Sequence, residues 1–292
     1  MFAGAYTALI TPFRRDGTVD HDKLRELVER QIAGGIDGLV PVGTTGESPT
    51  LDMEEHIQVI RTVIEAASGR VKVIAGSGGN STAEALELTT LSRDAGADGT
   101  LQVTPYYNKP TQEGLYRHYQ LIAKSVPLPI IPYNIPGRTG VNMSPELMAR
   151  LAEIDNIVGV KEASGSLKQM NDVLDLCGPE FDVLSGDDGF TLPLMAIGGK
   201  GVISVASNIV PADMAAMVDA AEAGDFAAAR ALHAKMSPLF DVLFIEVNPI
   251  PVKAALALMG RIVCEYRLPL CPMAPANHEK LKAALTRYGL IP

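Results

Sequence analysis

The chain has 292 residues, 47% of them hydrophobic and 20% charged, with a formal net charge of −9. That is enough chain for a large core and the composition of a soluble globular protein. The acidic balance argues against nucleic acid or an anionic membrane as a general partner, and no run approaches the ~18 apolar residues that would span a bilayer.

The first apolar run, Ala5–Ile10, has no basic residue before it and is ended early by Pro12, so it predicts a strand and not a signal peptide. An amphipathic segment follows over Asp20–Ala33, then a run at Gly38–Val42 and a turn, Gly43-Thr44-Thr45-Gly46-Glu47-Ser48. Asp52 with Glu55 has capping-box spacing for a helix over Met53–Ala66, and Ser81 with Glu84 has it for one over Thr82–Ala95. The run Val71–Ala75 lies between those two helices. Gly99–Val103 leads to Thr104-Pro105-Tyr106-Tyr107-Asn108 and a helix over Glu113–Lys124. Pro129–Tyr133 leads to Asn134-Ile135-Pro136-Gly137-Arg138-Thr139-Gly140, and Ser144-Pro145 marks another helix start. The last three runs are Ile157–Lys161, Asp182–Ser185 and Gly201–Val205. Beyond them the pattern is all helical, at Ala212–Ala223, Phe226–Phe240, Pro251–Met259 and Asn277–Tyr288.

Near-continuous apolar strands separated by helices indicate a parallel sheet covered on both faces. Eight such units in about 220 residues fit a closed (β/α)8 TIM barrel. A doubly wound open sheet is the second possibility, but the glycine fingerprint of its dinucleotide-binding form does not follow the first strand. The reading therefore divides the chain into a barrel over residues 1–224 and a C-terminal helical region over 225–292.

Lys161 closes the sixth run. Desolvation there lowers a lysine pKa by up to ~3–5 units from about 10.4, and only the free amine attacks carbonyls. Lys161 is thus a candidate Schiff-base nucleophile, against the plainer reading of a strand-end lysine reaching water. The other strand ends decide between these. In a barrel, chemistry gathers at the C-terminal strand ends. There the sequence places Thr44 and Thr45, Tyr106 and Tyr107, Tyr133, Arg138, the Ser185-Gly186-Asp187-Asp188 turn, and Ile203 with Ser204. The Gly-Thr-Thr-Gly turn offers amides and hydroxyls to a carboxylate, and Arg138 suits a second carboxylate by bidentate bonding. Tyr133 can move protons at the lysine through a hydroxyl such as Thr44. The five histidines (His21, His56, His118, His233 and His278) fall on or beside helices, away from the strand ends, so no clustered metal-ligand set is expected. Cys177, Cys264 and Cys271 are odd in number and show no Cys-x-x-Cys spacing, which favours a reduced, cytoplasmic protein.

Six segments in order resemble the dihydrodipicolinate synthase family, within the pyruvate-dependent class I aldolase and N-acetylneuraminate lyase superfamily. They are Val42–Ser48, Val103–Asn108, Tyr133–Gly140, Gly159–Gly165, Leu184–Asp188 and Gly201–Ser204. The resemblance covers essentially the whole chain. It implies condensation of pyruvate with aspartate 4-semialdehyde through a Schiff base on Lys161, in the diaminopimelate branch of lysine biosynthesis. Carried over by position, Tyr133 transfers protons, and Thr44 links Tyr133 to Tyr107, which comes from a neighbouring subunit. Thr45, Ile203 and Gly186 hold pyruvate, and Arg138 meets the semialdehyde carboxylate. No metal or organic cofactor is implied. The resemblance also implies a homotetramer, a dimer of dimers, and a lysine inhibitor site at Ser48, His56, Asn80, Glu84 and Tyr106. Pro49 and Met53 depart from one lysine-inhibited pattern, and a helix cap accounts for Glu84 without a ligand. Two alternatives remain at this stage: a pyruvate-dependent sugar-acid aldolase such as N-acetylneuraminate lyase, which shares Lys161 and Tyr133 but not Arg138 or the Tyr106-Tyr107 pair, and a non-catalytic sensor, which has no need of the proton relay.

Overall fold

The computed structural model describes residues 1–292. Eight strands, β1 (Gly4–Ala8), β2 (Gly38–Val40), β3 (Lys72–Gly76), β4 (Gly99–Val103), β5 (Ile130–Asn134), β6 (Gly159–Glu162), β7 (Asp182–Ser185) and β8 (Gly201–Ser204), close into one barrel. Every neighbour pair is parallel, and β8 returns to β1 with Tyr6 opposite Ile203. The expected (β/α)8 barrel with a C-terminal helical extension is what forms.

Around the barrel run α1 (His21–Ala33), α2 (Met53–Ala67), α3 (Thr82–Ala95), α4 (Gln112–Ser125), α5 (Pro136–Thr139), α6 (Pro145–Ala152), α7 (Leu167–Cys177), α8 (Thr191–Ala196) and α9 (Pro211–Glu222). The extension comprises α10 (Phe226–Val242), α11 (Ile250–Leu258) and α12 (Pro275–Tyr288). Polar caps start many of these helices. Asp20, Thr111, Ser144 and Ser166 each accept an amide of the first turn, and Asp52 with Glu55 forms the complete capping box.

Strand ends differ from the apolar runs by a residue or two. β2 stops at Val40 because Val42 turns into the left-handed region, φ 51°, where a β-branched residue cannot continue a strand. Ile157 makes only an isolated bridge to Ile130, so β6 starts at Gly159. α5, the single turn that carries Arg138, had no periodic signal to announce it.

The barrel interior is a packed cluster that includes Tyr6, Val40, Ile74, Leu101, Ile131, Tyr133, Leu184 and Ile203. Large residues there face glycines. A methyl on Gly38 would fall 2.2 Å from a Tyr6 ring carbon, so the bare backbone of β2 makes room for that tyrosine. A second cluster runs without a break from barrel residues such as Leu9 and Val42 through Met214 of α9 to Leu239, Ala255 and Leu285. The extension is therefore welded to the barrel by a shared apolar core.

Candidate active site

Lys161 on β6 lies opposite Tyr133 on β5. Its side chain is 5% exposed, and Nζ sits 4.3 Å from the centroid of the Tyr133 ring. Burial lowers the amine to about 7; the nearby Asp188 carboxylate opposes that shift and Arg138 adds to it. A large neutral fraction at physiological pH follows, which is the state a nucleophilic lysine requires. Burial raises the Tyr133 phenol above its ordinary range, so that group stays protonated beside the amine.

Gly186 makes space for the lysine. A methyl there would stand 3.1 Å from Lys161 Cε and 2.7 Å from the Ala163 methyl. Two residues on, Asp188 is fully buried and accepts from the Val205 and Ala206 amides at 3.1 and 2.9 Å. Burial pushes its carboxyl up to about 6, and its other oxygen has no partner in the chain. The sequence put Asp188 at a strand end without giving it a task. Its position beneath the lysine depends on the turn after β7, which no local pattern specifies.

Above the lysine the barrel opens into a cavity of about 370 Å³. Tyr133, Thr44 and Arg138 line it, together with Ser48, His56, Glu84 and Tyr106. Two expectations that the sequence kept apart, a reaction site and an amino-acid site, thus share one continuous space. Lys161, Ile203 and Gly186 do not line it; Lys161 adjoins it through the Tyr133 ring. Ile203 is buried in the interior cluster.

Thr45 is buried, and its hydroxyl accepts from Asn248 Nδ2 at 2.9 Å. The Asn248 carbonyl accepts from Arg138 Nη2 at 3.2 Å. One residue of the C-terminal region therefore fixes both a hydroxyl of the Gly-Thr-Thr-Gly turn and the guanidinium on the rim. Asn248 was not anticipated. Its flag in the sequence is the Asn248-Pro249-Ile250-Pro251 segment, a turn signal without a stated function.

No hydrogen bond joins Thr44 to Tyr133, and Tyr107 is 88% exposed and does not line the cavity. The relay is not assembled within one chain. Tyr107 also holds a left-handed backbone, φ 69°. Two expectations need correction, those for His56 and Glu84. His56 does not stand apart from the strand ends: it lies on α2, but its Nε2 donates to the Gly76 carbonyl at the end of β3, at 2.7 Å. Glu84 is only half used by its cap. Its amide donates to the Ser81 hydroxyl at 3.5 Å, while its carboxylate makes no bond back and faces the cavity. Asn80 lies just outside the cavity wall and donates to the Tyr106 carbonyl at 3.3 Å.

An eight-stranded parallel barrel with a desolvated amine at one strand end and a phenol beside it defines a Schiff-base lyase. The chain belongs to the Dihydrodipicolinate synthetase family, which it matches over residues 1–288. It is 64% identical over 291 residues to the 4-hydroxy-tetrahydrodipicolinate synthase of Syntrophus aciditrophicus, covering 100% of both chains. Its fold superposes with a TM-score of 0.98 on a chloride-inhibited dihydrodipicolinate synthase of Acinetobacter baumannii solved in complex with pyruvate, at 49% identity over 100% of each chain. A counterpart from Cyanidioschyzon merolae, solved with lysine bound, superposes with a TM-score of 0.96 at 44% identity over 99% of each chain.

Proposed function

We propose that the chain condenses pyruvate with L-aspartate 4-semialdehyde through a Schiff base on Lys161, giving 4-hydroxy-tetrahydrodipicolinate. The observation that carries this is the buried Lys161 amine against the Tyr133 ring, below a cavity whose rim holds the Arg138 guanidinium. The amine lone pair attacks the pyruvate keto carbon, and the carbinolamine loses water to form the iminium. Tyr133, protonated, supplies the proton that lets hydroxide leave as water. The Tyr133 phenolate left by that step takes a methyl proton, which gives the enamine and restores the phenol. Its carbon attacks the aldehyde of the second substrate, and that substrate's amine then displaces Lys161 as the ring closes. One water leaves in all, and the lysine is regenerated.

Thr45, with the amides of its turn and with Gly186 and Ile203, receives the pyruvate carboxylate in this reading. Arg138 has no carboxylate partner in the chain and takes that of the semialdehyde. Tyr107 joins Thr44 and Tyr133 from a second subunit, within a homotetramer built as a dimer of dimers. Its exposure supports that role. L-Lysine binds as an inhibitor in the part of the same cavity lined by Ser48, His56, Glu84 and Tyr106, where the free Glu84 carboxylate suits its ammonium, with Asn80 behind. No helix is long and apolar enough to cross a membrane, and the three cysteines are unpaired, in keeping with a cytoplasmic enzyme.

The test is a coupled assay with both substrates, run beside borohydride trapping with pyruvate. The expected result is turnover of the pair and a reduced adduct on Lys161. Turnover of sialic acid or a 2-keto-3-deoxy sugar acid with none of the semialdehyde would overturn the reading. Pyruvate binding without an adduct would reduce the protein to a sensor.

A further inference from the structure

A buried ion pair lies outside the reacting groups. Lys253 on α11 and Glu47 at the end of the Gly-Thr-Thr-Gly turn are joined at 2.5 Å, and both side chains are 0% exposed. A pair this deep is weak evidence for stability, because desolvation offsets the attraction. The loop it holds points to a different role.

The turn between Val42 and Glu47 is bounded by two left-handed residues, Val42 at φ 51° and Glu47 at φ 55°. Neither is glycine, and for the β-branched valine this backbone is strained. Such strain persists only where the surroundings over-determine it. Between these residues, Gly46 packs so closely that a methyl there would fall 2.9 Å from the Val42 nitrogen. The far anchor is Glu47: one oxygen takes the Lys253 ammonium and the other accepts the Arg267 amide at 3.2 Å. Lys253 is itself fixed, its Nζ 4.2 Å from the Phe13 ring centroid. Five residues before it, Asn248 holds the Thr45 hydroxyl. The C-terminal region therefore grips the turn twice, at Thr45 and at Glu47.

We propose that Lys253 is a positioning residue: through its ion pair with Glu47 it holds the strained Gly43–Gly46 turn in the shape that receives the pyruvate carboxylate. This rests on the reading of the site as a pyruvate Schiff-base enzyme. Lys253 never meets substrate. Its effect falls on how much pyruvate is needed to form the adduct, and not on the adduct's existence.

The test titrates pyruvate in borohydride trapping, with the adduct counted by intact mass, for the wild type, Lys253→Met, Lys253→Arg and the double variant Glu47→Gln/Lys253→Met. Lys253→Met leaves a buried carboxylate unpaired and is the variant most prone to misfold. The double variant removes both charges, restores the melting temperature toward wild type, and still lacks the strut. In it the half-saturating pyruvate concentration is expected to rise about tenfold, as for a lost charge-assisted hydrogen bond. Trapping stays complete at saturation, KM for pyruvate rises in step and kcat changes little. Lys253→Arg keeps the charge and returns the half-saturation toward wild type. A double variant that folds and traps at the wild-type pyruvate concentration overturns the proposal, since the pair would then be structural only. Absence of any adduct on the wild type removes the proposed function and this inference with it.

Discussion

Gly186 and Lys161 abut: a methyl at Gly186 would stand 3.1 Å from the lysine Cε and 2.7 Å from the Ala163 methyl. The backbone after β7 thus limits where the lysine on β6 can lie. Gly186→Ala is expected to push the lysine aside. The contact asks the lysine to yield by a fraction of the ~1 Å misplacement that costs about 10²-fold in rate, so trapping is expected to slow roughly 2- to 10-fold, and overpacking costs roughly 1–3 kcal/mol of stability. The checks are the pyruvate trapping rate and a melting curve. A variant that traps as fast as wild type would show that the lysine has slack.

The pH dependence follows from the amine. Burial holds Lys161 at about 7, and the neutral form reacts. Below that value, kcat/KM for pyruvate is expected to fall about tenfold per pH unit, levelling above it. Stability carries the same signature with its own sign. The folded lysine titrates near 7 and the unfolded one near about 10.4, so the unfolded chain binds more protons between those values. Stability therefore rises with pH across that window. Lys161→Met removes both effects. It abolishes the adduct and, at neutral pH, raises stability by roughly 0.5–2 kcal/mol, as relief of a functional burial does. A Met variant that melts earlier than wild type at pH 7 would contradict the assigned desolvation.

The barrel was legible because its strands announce themselves: Val73–Ala75 and Ile130–Ile131 are apolar and buried on both faces, as a sheet covered by helices demands. The strand-end residues were legible for the same reason, since eight strand ends define one rim. Asn248, Lys253 and Asp188 were not. Each acts across a long sequence separation or through a turn whose geometry is set by tertiary contact. Lys253 sits in an apolar helix segment where the sequence shows only one lysine among alanines and leucines. The Tyr107 relay came from resemblance alone, because no pattern within one chain says which subunit's site an exposed strand-end tyrosine enters.

Arg138 separates the two halves of the reaction. It touches the cavity but lies above the lysine, held only by the Asn248 carbonyl. Arg138→Leu is expected to leave pyruvate trapping near wild type, while kcat/KM for the semialdehyde falls by about 10- to 10²-fold, the loss of a bidentate charge pair. Measuring both on one preparation decides it. Equal damage to the two steps would mean that Arg138 serves the Thr45 turn through Asn248 and not the second substrate.

Glu84 gives the inhibitor reading a specific handle. Its carboxylate is unclaimed by the cap and faces the cavity, near Tyr106, whose phenol is raised by burial and then by Glu84's charge. Glu84→Gln keeps size and hydrogen bonding but removes the charge that a lysine ammonium needs. Inhibition by L-lysine is expected to weaken about tenfold with uninhibited kcat unchanged. Initial rates of the wild type that ignore millimolar-range lysine would remove the site.

Tyr107 makes the sharpest claim about assembly, because a tyrosine that does not line its own chain's cavity can act only in another. Tyr107→Phe and Lys161→Met each disable a site, but different ones in a two-fold pair. In a mixed dimer, the site with an intact Lys161 receives the intact Tyr107 of its partner and becomes whole. The opposite site carries both defects. Random reassembly of equal amounts should therefore restore about a quarter of wild-type sites, as two-fold exchange requires. The measurement is specific activity before and after dissociation and mixing, with each variant alone as the baseline. Mixtures that never exceed the sum of the separate variants would place Tyr107 outside the relay, and an active monomer would remove the need for a partner altogether.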